Sequence, residues 1–121
     1  MLRYRLSDAA QADVISILAW THEQFGEAAR LRYESLIVAA LRDVATQPDR
    51  PGSIVLPELG AGVRSWHLRL SRDHAGTGAG AVRRPRHFLI CRFEPALLVV
   101  GRVLHDAMEL ARNLDPDSSW E

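Results

Sequence analysis

The chain has 121 residues and a mass of 13.5 kDa, with 47% hydrophobic and 25% charged residues, a balance typical of one soluble globular domain and not of disorder. A single cysteine, Cys91, excludes a disulfide scaffold, and no Cys–His cluster offers a structural zinc site. Apolar runs such as Phe88–Cys91 and Ala96–Val100 fall far short of the ~20 residues of a membrane helix.

The opening residues lack a signal-peptide core. The expected protein is therefore cytoplasmic, away from membranes, and without metal or cofactor. The net charge is zero, but it is unevenly spread. Residues 1–63 carry six arginines against eight acids (−2), residues 64–102 eight arginines against two acids (+6), and residues 103–121 one arginine against five acids (−4). All 15 basic residues are arginine. The basic middle third either neutralises the acidic flanks within the fold or receives an anionic partner.

Leu2-Arg3-Tyr4-Arg5-Leu6 alternates apolar and polar residues and predicts a strand. Ser7 is placed to cap a helix over 8–25, whose stripe of Val14, Ile17, Leu18, Thr21 and Phe25 is expected to face the core. Gly26 ends that helix, and a second follows over 27–47 with Ala29, Tyr33, Leu36, Ile37, Ala40, Leu41 and Val44 on one side. Two helices joined through one glycine predict an antiparallel helical hairpin. Prolines and glycines from Pro48 to Gly62 mark a loop.

The period then changes to two. Strands are predicted over 63–70, 86–93 and 96–104, the last pair joined by a turn at Glu94-Pro95. Short connections imply antiparallel pairing. Ser71–Pro85, with Gly76, Gly78 and Gly80 at its centre, reads as a long flexible hairpin loop. A phosphate loop would need a helix directly after these glycines, where the sequence has a strand. A short helix is expected over 105–112, followed by a frayed acidic tail over 115–121. The expected architecture is α+β: an N-terminal strand, the helical hairpin packed on a small antiparallel sheet, and a short C-terminal helix, with one domain over 1–114. The second sheet face is left open for something else.

Candidate chemistry is sparse. His67, His87 and His105 have no metal-ligand spacing and read as half-buried strand histidines. Cys91, preceded by Phe88, Leu89 and Ile90, reads as a small core residue. Arg64, Arg69, Arg83, Arg84, Arg86 and Arg102 are expected to gather on the open sheet face, where guanidinium forks would pair with phosphates or carboxylates.

The order of several phrases resembles the ParE branch of the RelE/ParE toxin superfamily. They are Leu6-Ser7-Asp8-Ala9-Ala10, Phe25-Gly26-Glu27-Ala28-Ala29, the stretch from Glu58-Leu59-Gly60 to Trp66-His67-Leu68, Pro85-Arg86-His87-Phe88-Leu89-Ile90-Cys91-Arg92-Phe93, and Val103-Leu104-His105-Asp106-Ala107-Met108-Glu109-Leu110. The stretch from Ser71 to Pro85 is longer than the hairpin usual in ParE. The resemblance implies the RelE/ParE-like fold and the toxin half of a type II toxin–antitoxin, or plasmid-stabilisation, system. ParE-like members inhibit DNA gyrase by binding and are neutralised by a ParD-like antitoxin, which implies a hetero-oligomer. Arg64, Arg69, Arg83, Arg84, Arg86, Arg102, Met108 and Arg112 are then the antitoxin- or target-binding candidates, and the chain is not expected to be an enzyme. Two alternatives stand beside this reading. One is a RelE-like ribosome-dependent mRNA endoribonuclease, with His105 as the catalytic candidate; the other is a small non-catalytic protein-binding module.

Overall fold

The computed structural model describes residues 1–75, 82–107 and 120–121. Strand β1 (Arg3–Leu6) leads through Ser7 into helix α1 (Asp8–Phe25). The Ser7 hydroxyl accepts the Ala10 N–H at 3.0 Å and donates to the Gly101 carbonyl at 2.7 Å, so this buried residue both caps the helix and ties it to the far end of the chain. Helix α2 (Glu27–Thr46) begins directly after Gly26, whose φ of 92° and ψ of 177° lie in a region that side chains with a Cβ avoid. Nothing lies within 4 Å of where that Cβ would be, so glycine is required here by backbone conformation alone.

The second half is a two-residue strand β2 (Ile54–Val55), a 3-10 turn (Pro57–Leu59), β3 (Val63–His67), a 3-10 segment (Leu68–His74), β4 (His87–Glu94) and β5 (Leu97–His105). The strands form one sheet in the order β1-β5-β4-β3-β2. The helical hairpin and the sheet thus confirm the α+β architecture. Three details of the strands and their ends differ from expectation. First, the sheet is mixed, because β1 pairs in parallel with β5, Leu6 opposite Val100. The short-turn argument constrains only β3, β4 and β5, which do run antiparallel, and it says nothing about strands separated by most of the chain.

Second, the strand predicted over 63–70 stops at His67 and continues as the 3-10 segment. In that geometry residues three apart fall on one side, so Leu68 and Ser71 are both fully buried. Ser71 there accepts the indole N–H of Trp66 at 2.9 Å. The predicted loop therefore starts later than Ser71, and its glycines Gly76, Gly78 and Gly80 lie outside the described residues. Third, His105 belongs to β5 and not to a helix, while residues 108–112 lie outside the described residues.

The main core lies between helices and sheet. It is built on Leu36, Ala40 and Val44 of α2 with Trp66, Leu89, Cys91, Leu98 and Val100 of the strands. Cys91 is one of these core residues, and burial pushes its thiol up to about 12, which removes it as a nucleophile. A bulge at Gly101 shifts the alternation of β5, so Val100 and Val103 both face this core. Helix α1 is the outer layer. Only Ala10 and Thr21 of its 18 residues are buried, and Phe25, expected in the core, is 68% exposed because the helix meets the core through its earlier turns.

The second sheet face is not left open. Val63, Ile90, Val99 and Leu104 form a separate cluster around Trp120, which is 6% exposed. The Arg92 guanidinium lies over the Trp120 ring at 4.9 Å, and Arg5 donates to the Trp120 carbonyl at 2.8 Å. The end of the predicted frayed tail is thus a docked aromatic. No helix among the described residues is long and apolar enough to cross a membrane.

Candidate functional groove

His87 opens β4 and His105 closes β5, and the register sets them opposite each other. Their rings meet edge to face at 5.3 Å. Tyr33 reaches this pair from α2, its Oη 2.5 Å from His87 Nδ1. The same oxygen accepts the Arg86 backbone N–H at 3.3 Å and is placed to give its own proton to Nδ1, the arrangement that pairs with the His87 tautomer carrying its proton on Nε2. Burial, with His105 adding to it, lowers His87 to about 4, so the ring is neutral at physiological pH. Burial likewise pushes the Tyr33 phenol up to about 12, which keeps it a donor.

The two other strand histidines are oriented by backbone. His105 Nδ1 accepts the Ala107 N–H at 3.1 Å, and His67 Nδ1 accepts the Arg69 N–H at 3.1 Å. Both rings therefore carry their proton on Nε2 when neutral. His67 Nε2 lies 3.2 Å from Asp106, which also receives Arg86 Nε at 3.3 Å. Slight burial works against the Asp106 charge, yet these two hydrogen bonds hold its carboxyl below the usual carboxylate range.

His87 and His105 line a groove of about 1250 Å³. One wall is α1, with Ile17, Trp20 and Phe25; α2 adds Arg32 and Tyr33. The opposite rim is Val82, Arg83, Arg84 and Arg86. Trp20 and Phe25 are 55% and 68% exposed and lie edge to face at 5.7 Å. Among the described residues, no carboxylate lines the groove. A second cavity of about 420 Å³, beside α2, differs in that Glu34 and Asp43 share its lining with Arg42 and His74. Of these two cavities, the larger joins exposed aromatic surface to cationic and N–H donor groups among the described residues.

The arginines singled out from sequence do not form one cluster. Arg83, Arg84 and Arg86 come together at the groove rim, with His105 on its floor. Arg64 shares the helix-facing side with Trp66, where it donates to Ser53 Oγ at 2.8 Å. Arg69 lies exposed in the 3-10 segment. Arg102 makes a two-bond contact with Asp13 of α1 and is structural: the hydrogen bond to Asp13 raises its pKa further. Strand periodicity places arginines on faces, but it does not say which carboxylates other elements bring to them. Met108 and Arg112 lie outside the described residues. Among the described residues, no group of three His, Cys, Asp or Glu side chains is arranged to hold a metal ion.

Trp20 and Phe25 escaped sequence reasoning as surface residues. Their signal was present: Ile15 and Trp20 fall outside the apolar stripe of α1, so that helix is too apolar to bury every large side chain on one face. The helical stripe places Tyr33 in the core, and its hydroxyl partner on β4 depends on tertiary packing.

Comparison with curated proteins finds no match. The family model described as ParE toxin of type II toxin-antitoxin system, parDE, matches residues 4–110. That span runs from β1 past the end of β5 and takes in the whole groove, so the chain belongs to the ParE toxin family of type II toxin–antitoxin systems.

Proposed function

We propose that this toxin acts in the cytoplasm by binding DNA gyrase, without breaking bonds itself, and that a ParD-like antitoxin neutralises it in a hetero-oligomer serving plasmid stabilisation. The observation that supports this reading is the groove wall. Solvent-exposed Trp20 and Phe25 on α1, sharing a groove with Arg83, Arg84 and Arg86 and with no carboxylate among its described lining residues, suit an amphipathic acidic segment. The antitoxin would cover the apolar residues and set its acids against Arg83, Arg84 and Arg86. Purified toxin is expected to block DNA supercoiling by gyrase, and added antitoxin to restore it. Replacement of Arg83, Arg84 and Arg86 by Glu should weaken the antitoxin complex and flatten its salt dependence. Unimpaired supercoiling at saturating toxin would overturn the reading.

One observation favours a second reading, RNA cleavage. His87 and His105 bring two imidazoles to a floor beside three arginines, the kinds of group that phosphodiester cleavage uses. His105→Ala separates the two: an inhibitor keeps much of its growth arrest, whereas a nuclease loses transcript cleavage in a purified translation system.

A further inference from the structure

We infer that the groove between α1 and the 82–86 segment is a binding site for single-stranded DNA. The charged and ring N–H groups of its floor and rim are donors. His87 and His105 present Nε2–H groups because their Nδ1 atoms are taken by Tyr33 and by the Ala107 N–H. Arg83 and Arg84 add exposed guanidinium forks, and no carboxylate among the described lining residues competes for them. The facing wall offers the flat, exposed rings of Trp20 and Phe25. A cationic rim on one side and an exposed aromatic ring on the other is the arrangement that holds a strand by its phosphates and stacks a base without reading sequence. A volume of about 1250 Å³ accommodates more than one nucleotide.

The choice of DNA as the strand's source rests on gyrase being the target, since that enzyme works on DNA. An antitoxin segment along the same wall would exclude the strand, so binding of the two is mutually exclusive.

The test uses the full chain and a fluorescein-labelled ten-residue oligothymidylate, followed by anisotropy across a salt series, with supercoiling inhibition measured in parallel. Phosphate contacts from Arg83, Arg84 and Arg86, the last shared with Asp106, predict a slope of log K against log salt of about −2 at most, at about −0.7 per contact for single strands. Arg83→Ala with Arg84→Ala should reduce that slope by about 1.4, two contacts' worth. Trp20→Ala, at an exposed position, should weaken binding about tenfold or more through lost stacking. Absence of saturable binding at low salt, equal displacement by poly-glutamate, or tighter binding of the ribo-oligomer would each overturn the assignment. Failure to bind DNA while supercoiling is still blocked removes this inference and leaves the gyrase reading intact. DNA binding by a protein that leaves supercoiling untouched does the reverse, showing the groove site without the target.

Discussion

Arg102 of β5 grips Asp13 of α1 through two parallel hydrogen bonds, Nε to Oδ2 at 2.7 Å and Nη2 to Oδ1 at 2.9 Å, and Oδ2 also accepts the Val103 backbone N–H at 2.9 Å. One carboxylate thus serves three donors and fastens the outer helix to the sheet. Asp13→Ala leaves a half-buried guanidinium and a backbone N–H without it. The expected loss is about 1.5–3 kcal/mol, as for hydrogen bonds to charged groups, read from urea unfolding. A loss near zero would show that α1 is held by its apolar contacts alone.

Trp66 joins β3 to the 3-10 segment after it, 4% exposed and bonded through its indole N–H to Ser71. Trp66→Ala should cost about 3–5 kcal/mol, as for other large core aromatics. Ser71→Ala should cost about 1–3 kcal/mol, because the indole donor stays buried without an acceptor. Chemical denaturation of the two variants ranks them in that order if the hydrogen bond and the packing are as described.

Trp120 covers the apolar patch of Val63, Ile90, Val99 and Leu104 on the second sheet face. Deletion of residues 120–121 should cost about 2–3 kcal/mol from lost aromatic burial. It should also raise binding of an apolar dye, since the patch then meets water. An unchanged melting temperature and dye signal would mean that the contact does not persist in solution.

Acid should act through His87. Its folded pKa of about 4 lies below the ordinary value of 6.5, so between those values the unfolded chain holds a proton that the folded chain refuses. Stability is therefore complete above about pH 6.5 and declines as pH falls toward 4. Tyr33, His105, Asp106 and His67 surround the ring and share its field. Asp106 is depressed in the carboxylate range and contributes its own loss only at lower pH. Melting temperatures of the parent should drop from pH 6.5 to 4.5, and His87→Gln should flatten that stretch. Parallel curves for parent and variant would refute the assignment.

Local pattern was enough to read the helical hairpin, its Gly26 hinge, the Ser7 cap and the three antiparallel strands, because capping, glycine conformation and side-chain period act between residues close in sequence. The ordered phrases also led to the family that the match over residues 4–110 establishes. Tertiary structure alone decided the parallel seat of β1 beside β5, the docking of Trp120, and the division of the arginines into structural Arg102 and groove-lining Arg83, Arg84 and Arg86. It alone brought Tyr33 to His87 across 54 residues and turned Trp20 and Phe25 to the surface. Those outcomes depend on which surfaces remain uncovered, and on which distant partner reaches a polar group, once helices and sheet have packed. Neither is encoded in the period of any one segment.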